Sequence, residues 1–332
     1  MIIHLKNDVS KAVKHEIAAK YEAVELFKDD KTILITPCSL KNIDGKYLEY
    51  IDESWVFDND IQLASKKYRS DIQEIKIGNL AIGGQHRNTI IIIGPCGVES
   101  EEQIELTADF INKCGLHTLR AGSFKPRTSP YSFQGMGIEG LKLLAGMRDK
   151  YGFPIVTEVR DSSHIDAVIE YADVIQIGAK SMYDHGILRK CGKTNKPILL
   201  KRGFGSTLQE FVQAAEFILS GGNQNVMLCE RGIRTFESKT RFTLDLCGVA
   251  YLKANINLPV ILDPSHAMGY AYGVPDLARA CMAMDVDGLL IEVHPDPSVA
   301  KSDASQQLNH DEFKLLFESL KHIAKAVNRN II

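Results

Sequence analysis

The chain has no Cys-x-x-Cys pair, no apolar run of membrane-spanning length and no excess of one charge. Its seven cysteines, Cys38, Cys96, Cys114, Cys191, Cys229, Cys247 and Cys281, are odd in number and widely spaced. That argues against a disulfide framework or a zinc cluster and fits reduced thiols in a cytoplasm. Thirty-nine Lys and Arg face 42 Asp and Glu, a formal net charge of −3. The balance argues against bulk binding to nucleic acid or anionic membrane, so neither is an expected partner. The start, MIIHLKNDVSKAVKHE, shows no basic segment followed by a long apolar stretch, so no secretory leader is expected and the expected location is cytoplasmic. No GxxxxGKS/T phosphate loop and no GxSxG elbow occurs. GMGIEG at 135–140 matches a dinucleotide fingerprint, but PYSFQ before it is unlike a buried strand. It reads as a loop and a helix start.

What is present falls into two textures. Residues 1–75 read as a small βαββαβ, ferredoxin-like unit: MIIHLK, the helix VSKAVKHEIAAKYE with Val13, Ile17 and Tyr21 on one stripe, AVELF, TILIT, a short helix near Gly45, and ESWVF. Residues 58–73 are polar and read as a linker, and IKIGNLAIGG as a hairpin. From residue 89 eight apolar, β-rich runs alternate with helical segments: 89–96, 118–123, 154–159, 173–179, 197–203, 226–232, 259–265 and 288–295. Eight such units predict a (β/α)₈ barrel over 76–332. HDEFKLLFESLKHIAKAV reads as a terminal helix.

A barrel of this kind carries its active site at the C-terminal ends of the strands. Polar residues interrupt those ends here: Cys96, Arg120, Glu158, Gln176, Lys201, Glu230, Arg231, Asp263, His266 and Glu292, with Asp303 beyond. One subset is cationic: Arg120, Lys125, Arg127, Lys180, Lys201 and Arg231. Six cations in one mouth repel unless the ligand is multiply anionic. The segment RAGSFKPRTSP contains no acid, and Pro126 and Pro130 stiffen it, so it reads as an anion clamp. The other subset is Cys96, His266, Glu292 and Asp303. A thiolate, an imidazole and two carboxylates suit one divalent Mn²⁺, Fe²⁺, Co²⁺ or Zn²⁺ better than Ca²⁺. Taken singly each residue has a plainer reading: a buried thiol, a capping aspartate, surface acids, a solvated Lys201-Arg202 pair, and packing roles for Tyr270, Tyr272, Met282 and Met284. Their shared position at one end of the strands favours the site.

The motifs IGPCGVES, RAGSFKPRTSPYSFQG, QIGAK, LLKRGF, CERGIRTFE, DPSH and EVHPDPSVAKSD, in this order, resemble 3-deoxy-D-arabino-heptulosonate-7-phosphate (DAHP) synthase. The resemblance is to the branch with a ferredoxin-like N-terminal domain. It implies a transferase that joins phosphoenolpyruvate to erythrose 4-phosphate. It implies Cys96, His266, Glu292 and Asp303 as metal ligands. It implies Arg120, Lys125, Gly178, Ala179, Lys180, Lys201 and Arg231 around phosphoenolpyruvate, with Pro126, Arg127 and Thr128 serving the sugar phosphate. Lys125 is implied as proton donor and Glu158 as the residue orienting water. Feedback by Tyr or Phe through residues 1–75 and a homo-oligomer, tetramer or dimer, are further implications. The chain departs from the pattern at Lys180, where the family generally has Arg, at Tyr270-Ala271-Tyr272, where relatives carry a basic pair, and at SDASQQL. PRTS differs from the Asn-Arg-Ser-Ser of the enzyme that uses arabinose 5-phosphate, which favours the four-carbon sugar. The alternatives are a synthase acting on another aldose phosphate, a metal-dependent aldolase, a relative that binds without turnover, and a nicotinamide-dependent oxidoreductase.

Overall fold

The computed structural model describes residues 1–28, 30–125, 129 and 131–332. Pro126, Arg127, Thr128 and Pro130 of the expected clamp lie outside the described residues. The chain opens with β1 (Ile2–Leu5), a helix (Lys11–Lys20), β2 (Val24–Lys28), β3 (Lys31–Ile35), a 3₁₀ turn (Gly45–Tyr50) and β4 (Ile51–Trp55). The four strands form an antiparallel sheet in the order β2-β3-β1-β4. This is the expected split-βαβ topology, with a single 3₁₀ turn in place of the second helix. Gly45 accounts for the difference, because it weakens helix at the point of entry. Alternation along β1 divides the sheet. Ile3 and Leu5 face the helix with Ile17, Leu34 and Tyr47, while Ile2, Leu26 and Ile33 join the core of the larger unit.

The segment read as a polar linker is pinned down. Phe57, Ile61, Leu63 and Ala64 are buried. The backbone N–H groups of Gln62, Leu63 and Ala64 donate to the Glu216 carboxylate at 2.8, 3.2 and 2.8 Å. Four apolar residues among many polar ones were too few to show as a period.

The hairpin of β5 (Ile75–Ile77) and β6 (Leu80–Ile82) follows. Then come β7 (Asn88–Gly94), β8 (Leu119–Arg120), β9 (Ile155–Val159), β10 (Val174–Ile177), β11 (Ile198–Lys201), β12 (Val226–Glu230), β13 (Val260–Leu262) and β14 (Gly288–Glu292). All pair in parallel with their neighbours, and β14 pairs with β7, so the sheet closes. The run NTIIIIG shows why. Ile91 and Ile93 pack outward against helices, while Ile90 and Ile92 fill the barrel interior beside Val156, Leu199, Met227 and Leu290. β-branched residues suit a strand buried on both faces, and each full burial contributes about 1.5–3 kcal/mol. Ile75, Ile77 and Ile82 of the hairpin plug the N-terminal end of that interior.

Capping boxes open two of the helices. Thr207 forms a capping box with Glu210 before Leu208–Ser220, and Asn309 does so with Glu312 before His310–Ala326. Gly137 opens the helix Gly137–Tyr151 with no strand directly ahead of it, as expected for a loop rather than a nucleotide fingerprint. All seven cysteines are free. Tyr270 and Tyr272 are not packing residues: they stack on each other, 43% and 75% exposed. Among the described residues no helix is long and apolar enough to cross a membrane.

Candidate active site

The C-terminal ends of the barrel strands open into a cavity of about 620 Å³. Lys125, Glu158, Gly178, Ala179, Lys180, Lys201, Arg231, His266 and Asp303 line it, with Ser129, Ser132, Phe204, Arg234, Arg241 and Phe242. A cavity of about 690 Å³ elsewhere, lined by Cys114, Phe317, Lys321 and Arg329 among others, holds none of the expected site residues.

At the floor of the mouth, one ligand-type atom each from Cys96, Glu292 and Asp303 lies within 4.8 Å of the others. Cys96 follows β7, Glu292 ends β14, and closure makes these strands neighbours. His266 Nε2 stands 3.5 Å from Glu292 Oε1 and 3.9 Å from Asp303 Oδ2. Asp303 holds a left-handed backbone, φ 46°, which is uncommon for a residue with a Cβ.

The atoms behind this cluster fix it. Asp263 Oδ1 accepts the His266 backbone N–H at 2.9 Å, and its Oδ2 lies 2.8 Å from His266 Nδ1 and 2.6 Å from Lys201 Nζ. A carboxylate on Nδ1 leaves the Nε2 lone pair free toward Glu292 and Asp303. Glu292 receives Arg120 Nη1 on one oxygen and Gln306 Nε2, at 2.6 Å, on the other. Gln306 in turn accepts from Arg241 Nη1 at 2.6 Å, and the same nitrogen is 3.6 Å from Asp303 Oδ1. Lys125 Nζ donates to Cys96 Sγ at 2.8 Å and to the Cys96 carbonyl at 2.9 Å.

The electrostatics follow from this crowding. Burial, then the Glu292 charge, push the Cys96 thiol up to about 12. Burial works to raise Asp303, but His266 and Arg241 outweigh it and hold the carboxyl down at about 2. Glu292 is likewise held down against burial by His266 and Arg120. Burial lowers His266 against the opposing pull of the Asp263 and Glu292 carboxylates. Burial works to lower Lys125, but Cys96, Glu158 and Glu292 together outweigh it and hold the ammonium above its usual value. An imidazole whose Nε2 faces the cluster, two carboxylates held below their usual range and a thiol that loses its proton only to a strong competitor are a donor set for a divalent transition ion. The residues present fit such an ion.

The cationic set divides. Arg120 is taken by Glu292 and Lys125 by Cys96. Lys201 sits on Asp263. Arg231 is buried and Lys180 is exposed at the rim. Glu158 accepts from Gln176 Nε2 at 2.7 Å, and its carboxylate packs so closely on Gly178 that a Cβ there would come within 2.1 Å of Oε1. Arg202 and Glu230 face each other and Asp245, at 2.9 and 2.8 Å, instead of the cavity. Sequence reasoning assigned no role to Arg241, Gln306, Phe204, Phe242 or Arg234, although Phe204, Arg234 and Gln306 lie within the motifs LLKRGF, CERGIRTFE and SDASQQL.

The sequence profile of the DAHP synthetase I family matches residues 66–329. Phospho-2-dehydro-3-deoxyheptonate aldolase of Thermotoga maritima is 44% identical over 266 residues, 80% of this chain and 78% of that protein. 2-Dehydro-3-deoxyphosphooctonate aldolase of Bordetella petrii is 31% identical over 264 residues, 72% of this chain and 92% of that protein. A crystal structure of the Thermotoga maritima DAHP synthase superposes with a TM-score of 0.80 at 35% identity, covering 100% of this chain and 98% of that one. A truncated form of the enzyme from that organism superposes with a TM-score of 0.75 at 40% identity, covering 81% of this chain and 98% of that one. With the profile matched over most of the barrel and a relative of this identity over four-fifths of the chain, the protein belongs to the DAHP synthetase I family.

Proposed function

We propose that the chain condenses phosphoenolpyruvate with erythrose 4-phosphate and water to give DAHP and phosphate, the first step of the shikimate pathway. The observation that carries the reading is the cluster of Cys96, Glu292, Asp303 and His266 at the floor of a cavity walled by Lys180, Lys201 and Arg231. Two phosphates and a carboxylate are the anions such a wall requires. The higher identity to the heptonate enzyme than to the octonate enzyme supports the four-carbon sugar over arabinose 5-phosphate.

Cys96, His266, Glu292 and Asp303 would hold one divalent ion, which when bound supplies Lewis acidity toward an aldehyde or water oxygen. Arg231, Lys201, Lys180 and the Gly178-Ala179 backbone orient phosphoenolpyruvate, with Arg120 and Lys125 beneath it. Arg127, Thr128 and Pro126 take the sugar phosphate. C3 of phosphoenolpyruvate attacks the aldehyde carbon, and the carbonyl electron pair becomes an alkoxide. Lys125 Nζ, kept protonated beside Cys96, gives that oxygen its proton. Glu158, fixed by Gln176, orients the water that adds at C2. The tetrahedral intermediate then expels phosphate.

Residues 1–75 form a separate regulatory unit on this reading, with Tyr or Phe as feedback ligand, and 76–332 the catalytic barrel of a cytoplasmic dimer or tetramer. Deleting 1–75 would leave inhibition by both amino acids unchanged if that role is wrong. The test of the main reading is mass spectrometry of products formed from phosphoenolpyruvate with four- and five-carbon aldose phosphates, after chelation and metal add-back. DAHP with released phosphate, only after add-back, is expected. An eight-carbon product, or aldol product without phosphoenolpyruvate, overturns it.

A further inference from the structure

Arg231 is a buried guanidinium, 4% exposed, and among the described residues no carboxylate forms an ion pair with it. The fold treats other buried arginines differently: Arg202 meets Glu230 and Asp245, and Arg120 meets Glu292. Among the described residues Arg231 donates to two backbone carbonyls, Gly232 O at 3.5 Å and His266 O at 3.3 Å. What lies against it is a ring. Its guanidinium carbon is 4.2 Å from the centroid of Phe242. Phe242 stacks on Phe204, centroids 5.5 Å apart and planes 30° apart, and Phe204 carries Arg234 at 4.9 Å.

The backbone is shaped to bring this ring in. Gly232, at φ +94°, packs so closely that a Cβ there would meet the Phe242 Cβ at 2.7 Å. The Phe242 N–H donates to the Ala267 carbonyl at 2.9 Å, and Ile233 bridges Thr243. The loop therefore folds back over the cavity wall and presents Phe242 to Arg231.

Burial alone disfavours the charged guanidinium. A carboxylate partner would compensate the buried charge but occupy the N–H donors. A π-face attracts the cation and takes none of them. We propose that Phe242, backed by Phe204, is a positioning residue that holds the Arg231 guanidinium flat against its face, with the remaining N–H donors left for the anionic substrate, so that the ring's π-face sets phosphoenolpyruvate affinity. The proposal rests on the reading of Arg231 as a phosphoenolpyruvate contact.

The test is calorimetric titration of the Mn²⁺-loaded full chain with phosphoenolpyruvate, across variants at position 242. Phe242→Leu weakens binding about tenfold, since a desolvated cation–π contact reaches roughly the 1.4 kcal/mol that a factor of ten requires. Phe242→Tyr and Phe242→Trp retain affinity. Because Phe242→Leu also alters packing, the deciding series is mono-, di- and trifluorinated phenylalanine at 242, which drains the π-face at nearly constant shape. A stepwise rise in Kd, with the KM for erythrose 4-phosphate unchanged, is expected. A flat series in a protein whose parent form binds phosphoenolpyruvate overturns the role of the ring alone. A parent form that binds no phosphoenolpyruvate overturns the site reading beneath it.

Discussion

Asp263→Asn separates the metal site from the rest of the mouth. Asp263 is fully buried between Lys201 Nζ at 2.6 Å and His266 Nδ1 at 2.8 Å. Asparagine keeps one oxygen for the His266 backbone N–H, which puts its NH₂ group against Nδ1. The imidazole then carries its proton on Nε2, where a lone pair is needed for coordination. Loss of a partner of this kind lowers metal affinity 10–100-fold, about 1.4–2.8 kcal/mol. The same change strands the Lys201 charge, and breaking a buried pair is destabilising by about 3–5 kcal/mol. Against a total stability of about 5–15 kcal/mol the variant still folds. The assay is competition for Mn²⁺ or Co²⁺ against a chromophoric chelator, on protein shown folded by circular dichroism. A variant with a lowered Tm but unchanged metal affinity would refute the tautomer argument and leave Asp263 a structural counter-ion.

Three further outcomes are expected. Cys96→Ala removes the sulfur-to-metal charge-transfer absorption of Co²⁺-loaded protein and weakens metal retention; an unchanged spectrum would take Cys96 out of the ligand set. Lys180→Arg raises phosphoenolpyruvate affinity several-fold, read in the KM, because a guanidinium can grip phosphate with two bonds at this exposed rim position; a higher KM would show that the rim favours the point charge. Burial pushes Glu216 up to about 7 against the pull of three backbone N–H donors. Its folded value exceeds the usual 4.5, so its stability contribution is full below 4.5 and is lost as pH rises through about 7. Chemical denaturation across that window shows the slope in the parent chain, and Glu216→Gln flattens it; identical slopes would remove Glu216 from the pH response.

Several features of the site lie on the surface of the sequence. A cysteine after NTIIIIG, a histidine in DPSH and a glutamate closing GLLIE stand at strand ends, and strand ends are visible as the points where apolar runs stop. Ligand types are carried by side-chain chemistry, so the class of ion they suit follows before any fold is known. The buried 57–64 segment was not legible, because its four apolar residues follow no period and its hydrogen-bond partner, Glu216, is 152 to 154 residues away. Tyr270 and Tyr272 read as core because aromatics usually are; in the fold they stack in solvent.

Local pattern, then, determined the eight-fold strand-and-helix rhythm, the small leading sheet and the donor atoms offered at the mouth. Which cation meets which neighbour was decided by the tertiary pairing. Closure of β14 on β7 brings Arg120 to Glu292 across 172 residues, and the loop held by the Phe242–Ala267 and Ile233–Thr243 contacts lays a ring on Arg231. Periodicity reports the face a residue occupies, because it depends on near neighbours in the chain. Charge pairing depends on distances of a few ångströms between remote segments, and those exist only once the barrel has closed.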